Sequence, residues 1–305
     1  MMNSIETKIT LSNIADDWLL MNKNKFKAST YQSYKYKIDK YIKTHYVAAY
    51  DIFSITELDA INFVNLLVDK KLSSKTINDI ISLLNSLFDF AEKRYKMFHI
   101  NVPYVKNTYK EMRVLSVSEQ KHLEHYLIQG MDNYKFGIYI ALYTGIRIGE
   151  LCALKWSDIH DGTINVNKTV IRLKDGNKTK IVVDTPKTNH SFRTIPIPNF
   201  LNKIIENNRK QPEQYVLASD KISFVEPRLM QIHFKKAIFN CEISDASFHT
   251  LRHTFATRCV ECGFDIKSLS EILGHSNVQI TLNKYVHSSL ELKQFNMDKL
   301  QKIAI

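Results

Sequence analysis

The chain has little of what secreted, membrane or fibrous proteins are built from. Four cysteines in 305 residues, at 152, 241, 259 and 262, point away from a disulfide framework and suit a reducing compartment. No uninterrupted apolar run approaches the roughly 18 residues that a membrane-spanning helix needs. The opening MMNSIETKIT lacks the apolar core of a signal peptide, so the expected location is the cytoplasm, with no membrane partner. Eight glycines and six prolines are too few for a fibrous or low-complexity chain, and 44% hydrophobic residues describe ordered globular domains. Acidic residues are also scarce: 31 Asp and Glu face 42 Lys and Arg, giving a net charge of +11. That balance points to a polyanionic partner, and nucleic acid ranks ahead of a membrane surface. Cys259 and Cys262 form a CxxC, but no second CxxC or HxxxH follows at finger-like spacing. The pair falls inside a helical pattern where small thiols pack well, so no metal site is expected there.

At 305 residues the chain exceeds the usual size of one compact domain, and two domains with separate cores are expected. Over the first hundred residues apolar positions recur at helical spacing. Tyr31, Tyr34, Ile38, Tyr41 and Ile42 share one face while Lys35, Lys37, Lys40 and Lys43 take the other, which predicts a basic amphipathic helix. SITELDAINFVNLL, from Ser54, predicts another. SSK at 73–75 starts a third, with the stripe Ile77, Ile80, Ile81, Leu84, Leu87, Phe88, Ala91 and Tyr95. HINVPYVKNTYKEMRV, 99–114, has no sustained period and reads as a linker. Beyond it Ser116 and Glu119 form a capping box for a helix that Gly130 can end. From 163 to 198 the pattern changes to TINVNKTVIRL, KIVVDT and FRTIPIP, separated by polar turns, which predicts a small antiparallel sheet. Helical patterning then resumes almost to the end. The expected fold is mainly α with a small antiparallel β-sheet: a helical domain with linker over 1–111, and a mixed α/β domain over 112–305.

Chemistry concentrates in the second domain. FHTLRHTF, 248–255, puts His249 and Arg252 three apart on a helix, a weak motif that taken alone reads as a structural surface pair. In TGIRIGEL, Arg147 follows Thr144-Gly145 at a helix break among apolar residues, where neighbours must fix it, and Glu150 is placed to pair with it or orient it. In SEILGHSNVQITLNKYVH, Gly274 ends a helix, His275 sits in the turn and Tyr285 follows ten residues later; a helix-turn-helix has the same outline. Together these stretches supply two arginines, two histidines and a tyrosine. An attacked phosphodiester gathers charge on its non-bridging oxygens, and paired guanidiniums with a histidine donor match it. The phenol can then be the nucleophile, given a base, since its reference pKa is about 10. The leaving oxygen needs a proton in turn. Lys187, at the tip between the second and third strand segments, suits that task, with solvated decoration as the alternative for any single lysine in so basic a chain.

The order R…K…HxxR…H…Y, in the contexts TGIRIGEL, TPKT, HTLRHTFAT and LGHS with the terminal tyrosine, resembles the tyrosine recombinase (phage integrase) family from about Leu115 to Tyr285. The N-terminal helices resemble that family's core-binding, SAM-like domain. The resemblance implies a two-domain, C-shaped clamp on double-stranded DNA carrying a specific recombination site. Arg147 and Arg252 would bind the scissile phosphate and His249 and His275 would hydrogen-bond it, with His249 the candidate for accepting the Tyr285 proton. Lys187 would protonate the 5′ leaving oxygen, Glu150 would support the site, and Tyr285 would join to the 3′ phosphate. No metal or nucleotide cofactor would be required. A homotetramer would act on two synapsed duplexes, with an accessory protein setting direction. The tail after Tyr285, with Leu290, Phe295, Met297 and Leu300, would pack on a neighbouring protomer or on its own. The helical pattern begins by about residue 10, so an extra arm-binding domain ahead of it is not expected. The implied outcome is integration and excision of a mobile element or Xer-like resolution. The rivals are a type IB topoisomerase and a noncatalytic DNA-binding regulator. Lys25, Lys27 and Lys35, in KFKASTYQSYKYK, are the expected phosphate contacts of the first domain.

Overall fold

The computed structural model describes residues 8–108, 112–175, 178–184, 192–218, 224–285, 294 and 297–298. The chain divides into two compact units, Met1–Glu111 with Arg172–Lys180, and Met112–Ile171 with Ile181–Ile305.

Four helices organise the first unit: α1 (Leu11–Asn22), α2 (Ala28–Lys37), α3 (Glu57–Asp69) and α4 (Ser74–Tyr95). The longest, α4, starts where its sequence says it should. Ser73 accepts from the Thr76 N–H at 3.2 Å, satisfying one of the orphan donors of the first turn. Its stripe from Ile77 to Ala91 is buried against α1 and α3. The basic amphipathic helix is α2 followed by one π turn, Ile38–Ile42, which carries Ile38 and Ile42 into the core. Its polar side is less free than the pattern implies, because Lys37 pairs with Asp79 at 3.1 Å and Lys43 with Asp16 at 2.6 Å.

The stretch expected as a linker is anchored over its first part. Asn85 donates to the Val102 carbonyl at 3.1 Å and accepts from its N–H at 2.8 Å; one helical repeat earlier, Asn78 does the same to Val105 at 2.9 Å each way. Two side-chain amides on one face of α4 thus satisfy the backbone of an extended strap, and Ile100 and Val102 fill the core beneath it.

The second unit is mainly α. From Met112 the chain runs α5 (Val117–Ile128), α6 (Asn133–Thr144), α7 (Ile148–Ala153), β1 (Ile159–His160), β2 (Thr163–Val166), β3 (Thr169–Asp175), β4 (Lys178–Asp184), β5 (Arg193–Pro196), α8 (Asn199–Asn207), α9 (Pro227–Asn240), α10 (Phe248–Glu261), α11 (Ile266–Leu273) and α12 (Val278–Tyr285), and the part of β3 and β4 within Arg172–Lys180 groups with the first unit. α6 is apolar on nearly all sides and is accordingly the central helix, packed by α5, α9 and α10. The order β1-β2-β5 is antiparallel, with Ile164 opposite Ile195 on the buried face, while β3 pairs with β4 separately. The single strand expected over 163–173 is therefore two. The buried Asp158 carboxylate draws Lys168 (2.9 and 3.1 Å) and Asn167 (3.2 Å) inward and breaks the run at that point. Cys259 of the CxxC packs in a small apolar cluster with Ala256, Leu269 and Leu273, where burial pushes its thiol up to about 12. Cys262 is exposed. Among the described residues no helix is long and apolar enough to cross a membrane. Of the apolar tail positions Met297 is described, and it is exposed; Leu290, Phe295 and Leu300 lie outside the described residues.

Candidate active site

The site is assembled at helix ends. α6 stops at Gly145, whose φ of +63° turns the chain back; a Cβ there would lie 2.5 Å from a Phe255 ring carbon, so glycine alone fits. Two residues later Arg147 caps α7. Its guanidinium donates to Glu150 Oε1 at 2.9 Å and to the Gly274 carbonyl at 3.1 Å. Arg252, on α10 and only 2% exposed, donates to the Gly145 carbonyl at 2.8 Å and the Leu273 carbonyl at 2.5 Å. These three carbonyls belong to the last turns or caps of α6 and α11, where they have no partner within the helix and the dipole is negative.

Holding arginines by carbonyl dipoles has an electrostatic consequence. The carboxylate in the cluster is Glu150, and it is shared. Arg193, from β5, donates to Glu150 Oε1 at 3.1 Å and Oε2 at 2.7 Å and to the Ile272 carbonyl at 2.6 Å. Among the described residues, three guanidiniums around one carboxylate give the cluster an excess of two positive charges in a largely buried place. Burial, with Arg147 and Arg193 nearby, lowers the Arg252 guanidinium to about 9, so it remains charged at neutral pH. Burial also pushes the Glu150 carboxyl up, but hydrogen bonds and charge from Arg193, and then Arg147, outweigh it and hold the group below its usual range. Such an arrangement is poised for a tetrahedral anion.

Tyr285 closes the site from α12. It is 6% exposed, and its hydroxyl shares a hydrogen bond of 2.9 Å with Nδ1 of His253. His275, just beyond the α11 cap, is bonded through Nδ1 to Thr281 at 2.8 Å, and its ring lies parallel to the Tyr285 ring at 6.3 Å between centroids. His249 stands one turn before His253 on α10, its ring edge-on at 4.5 Å. Burial raises the phenol above its ordinary value, opposed by the charges of Arg252 and Arg147.

The structure thus brings Arg147, Glu150, His249, Arg252, His275 and Tyr285 into one cluster. Lys187 lies outside the described residues. Lys25 and Lys27, just before α2, and Lys35, in its last turn, are exposed in the first unit. Two further members of the cluster, His253 and Arg193, are not among the residues that the sequence pattern picks out. His253 directly follows Arg252 and lies one turn from His249, but it falls outside the HxxR spacing. The proton-accepting role expected for His249 meets a different geometry, since it is His253 that bonds the hydroxyl. Arg193 carries no local signal, because its partners lie 43 and 79 residues away in the chain.

Removing Glu150 should be felt by the whole unit. Glu150→Ala takes this counter-charge from Arg193, 5% exposed, and is expected to lower stability by about 3–5 kcal/mol in urea unfolding. Because the Glu150 carboxyl is held below its unfolded value, its contribution is complete above about pH 4.3 and is lost as pH falls through the lower folded value. The variant should therefore lose less stability than the wild type on acidification across that range; parallel acid curves would show that the pair does not stabilise the fold.

The phage integrase family model matches residues 111–291, and the model of the phage integrase N-terminal SAM-like domain matches 18–95. The chain is 30% identical over 294 residues to the ICEBs1 integrase of Bacillus subtilis (strain 168), covering 91% of this chain and 78% of that protein. It is 28% identical over 312 residues to a tyrosine recombinase XerC-like protein of Caldanaerobacter subterraneus subsp. tengcongensis, covering 92% and 79%. In fold it is similar to the Tn1549 transposon integrase in complex with a circular intermediate DNA, with a TM-score of 0.83 at 22% identity over 96% of this chain and 99% of that one. It is also similar to a lambda integrase tetramer bound to a Holliday junction, with a TM-score of 0.68 at 18% identity over 93% and 80%.

Proposed function

The chain belongs to the phage integrase family, and on that premise we propose that it is a site-specific DNA recombinase working through a 3′-phosphotyrosyl intermediate at Tyr285. The phenol attacks the scissile phosphate, the 5′ oxygen leaves, and a 5′-hydroxyl from a second duplex later reverses the step. One phosphodiester is exchanged for one phosphotyrosyl ester, so the bond energy is retained and no nucleotide is consumed. Arg147 and Arg252 hold the non-bridging oxygens, His249 and His275 hydrogen-bond the phosphate, Lys187 protonates the leaving oxygen, and Glu150 keeps Arg147 in place. Residues 1–111 serve as the core-binding domain and 112–305 as the catalytic domain. Four copies act on two duplexes in the cytoplasm, an arrangement supported by likeness to an integrase whose tetramer holds a Holliday junction. Similarity to the ICEBs1 and Tn1549 integrases favours integration and excision of a mobile element, and similarity to the XerC-like protein favours resolution.

The observation that carries this reading is the buried Tyr285 hydroxyl beside a cluster with an excess of positive charge. The test offers two duplexes, cut from DNA flanking the gene, to the purified protein and follows strand exchange on a gel. Relaxation of supercoils without exchange would favour topoisomerase chemistry, and tight specific binding without a covalent band would favour a regulator.

On the first unit, the exposed Lys25, Lys27 and Lys35 are proposed to track phosphates. Replacing all three with glutamine is expected to lower the slope of log Kd against log salt by roughly 0.9 for each phosphate no longer neutralised, about 2–3 in total. An unaltered slope would remove them from the DNA path.

A further inference from the structure

We infer that His253 is the group that takes the proton from Tyr285 during attack, acting through Nδ1; this rests on the recombinase reading above. The geometry already has the phenol oxygen and Nδ1 within hydrogen-bond distance, at 2.9 Å. Other polar groups around the phenol are less suited. Arg147 and Arg252 are cations with no acceptor. Glu150 is occupied by Arg193 and Arg147. His275 has its Nδ1 engaged with Thr281, and its ring lies parallel to the tyrosine ring at 6.3 Å between centroids. His253 is also held from below: α10 carries it one turn after His249, whose ring meets it edge-on.

The groups facing the pair are His249 and Arg252 on α10, Arg147 at the head of α7, and His275 in the turn before α12. Their net positive charge favours phenolate and disfavours a further cation, which pushes the proton to leave late, in concert with bond formation to phosphorus. As the Tyr285 Oη–P bond forms and the P–O5′ bond breaks, the phenol proton passes to His253 Nδ1 and the 5′ oxygen takes a separate proton from the general acid, assigned above to Lys187. In rejoining, the imidazolium returns its proton to the departing phenolate. The His253 ring must therefore start neutral, with its hydrogen on Nε2.

The test measures single-turnover cleavage of a nicked suicide duplex by the full chain and by two variants. His253→Ala removes the acceptor. His253→Asn keeps a polar atom able to hold the hydroxyl but cannot take a proton, and it carries the test if the alanine variant folds poorly. Both are expected to cleave about 10²-fold more slowly at neutral pH, with unchanged affinity for DNA. The wild-type rate should level off once the imidazole is fully neutral, while the variant rates keep climbing with pH as hydroxide takes over. A duplex with sulfur in place of the bridging 5′ oxygen has a leaving group that needs no proton, so it should not rescue either variant. Recovery in His253→Asn to within about threefold of wild type would make His253 a positioning residue, and rescue by the sulfur substrate would make it the acid; either overturns the assignment. Absence of covalent product with the wild type on specifically bound DNA would instead overturn the recombinase reading itself.

Discussion

Replacing Tyr285 with phenylalanine is expected to abolish the covalent protein–DNA band on a denaturing gel, a fall in cleavage of at least about 10⁴-fold, while DNA affinity stays within about twofold of wild type. The ring should stay where it is. Tyr285 packs with Ala256, Cys259, Leu269 and Leu273, neighbours that the phenyl group still touches, and what goes is the hydrogen bond with His253. That change is expected to lower stability by roughly 1 kcal/mol, too little to unfold the unit at room temperature. Incubation of both proteins with suicide duplexes, followed by protease digestion, separates the outcomes. A protease-sensitive band in the wild type alone identifies the tyrosine as nucleophile. A band of equal strength in the variant would move the covalent bond to another residue, and the arginine cluster would then need a different partner.

Much of the frame that delivers this tyrosine can be read from local sequence, because local physics decides it. The capping box of Ser116 and Glu119 forms as spaced, the α4 stripe is buried as the 3.6 period demands, and Gly274 ends α11 with a φ of +64°. What could not be read depends on tertiary partners that no local repeat discloses. The strand break at Asn167-Lys168 follows from a buried carboxylate at Asp158 whose burial no local pattern discloses. Asn78 and Asn85 look like ordinary polar positions of a helix until the strap they hold is seen. Arg193 belongs to the same class, since a strand arginine reveals its role only when Glu150 and the end of α11 are brought beside it. The legible site residues carry their chemistry in short spacings; the others work through tertiary contact or, like His253, stand beside a more familiar spacing.

Arg252 offers the second large effect, and it should divide function from stability. Arg252→Met is expected to slow cleavage by about 10² to 10³, by analogy with the loss of one oxyanion donor. Its effect on folding should be small. The methionine stem fills most of the same space, and two carbonyls, of Gly145 and Leu273, lose their donor, at roughly 1–3 kcal/mol each if both stay dry. Against that, a buried cation that sits beside Arg147 and Arg193, and whose partners are dipoles and not a carboxylate, is removed. The two contributions are of similar size and opposite sign, so the urea midpoint should move far less than in Glu150→Ala, where a buried counter-charge is taken away and nothing is relieved. A midpoint loss equal to that of Glu150→Ala would make Arg252 a structural group. An unchanged cleavage rate would remove it from the phosphate. Slow cleavage in a protein as stable as the wild type would mean that this guanidinium is kept buried and under-neutralised against the interests of the fold, and that the anion it awaits is what completes its electrostatics.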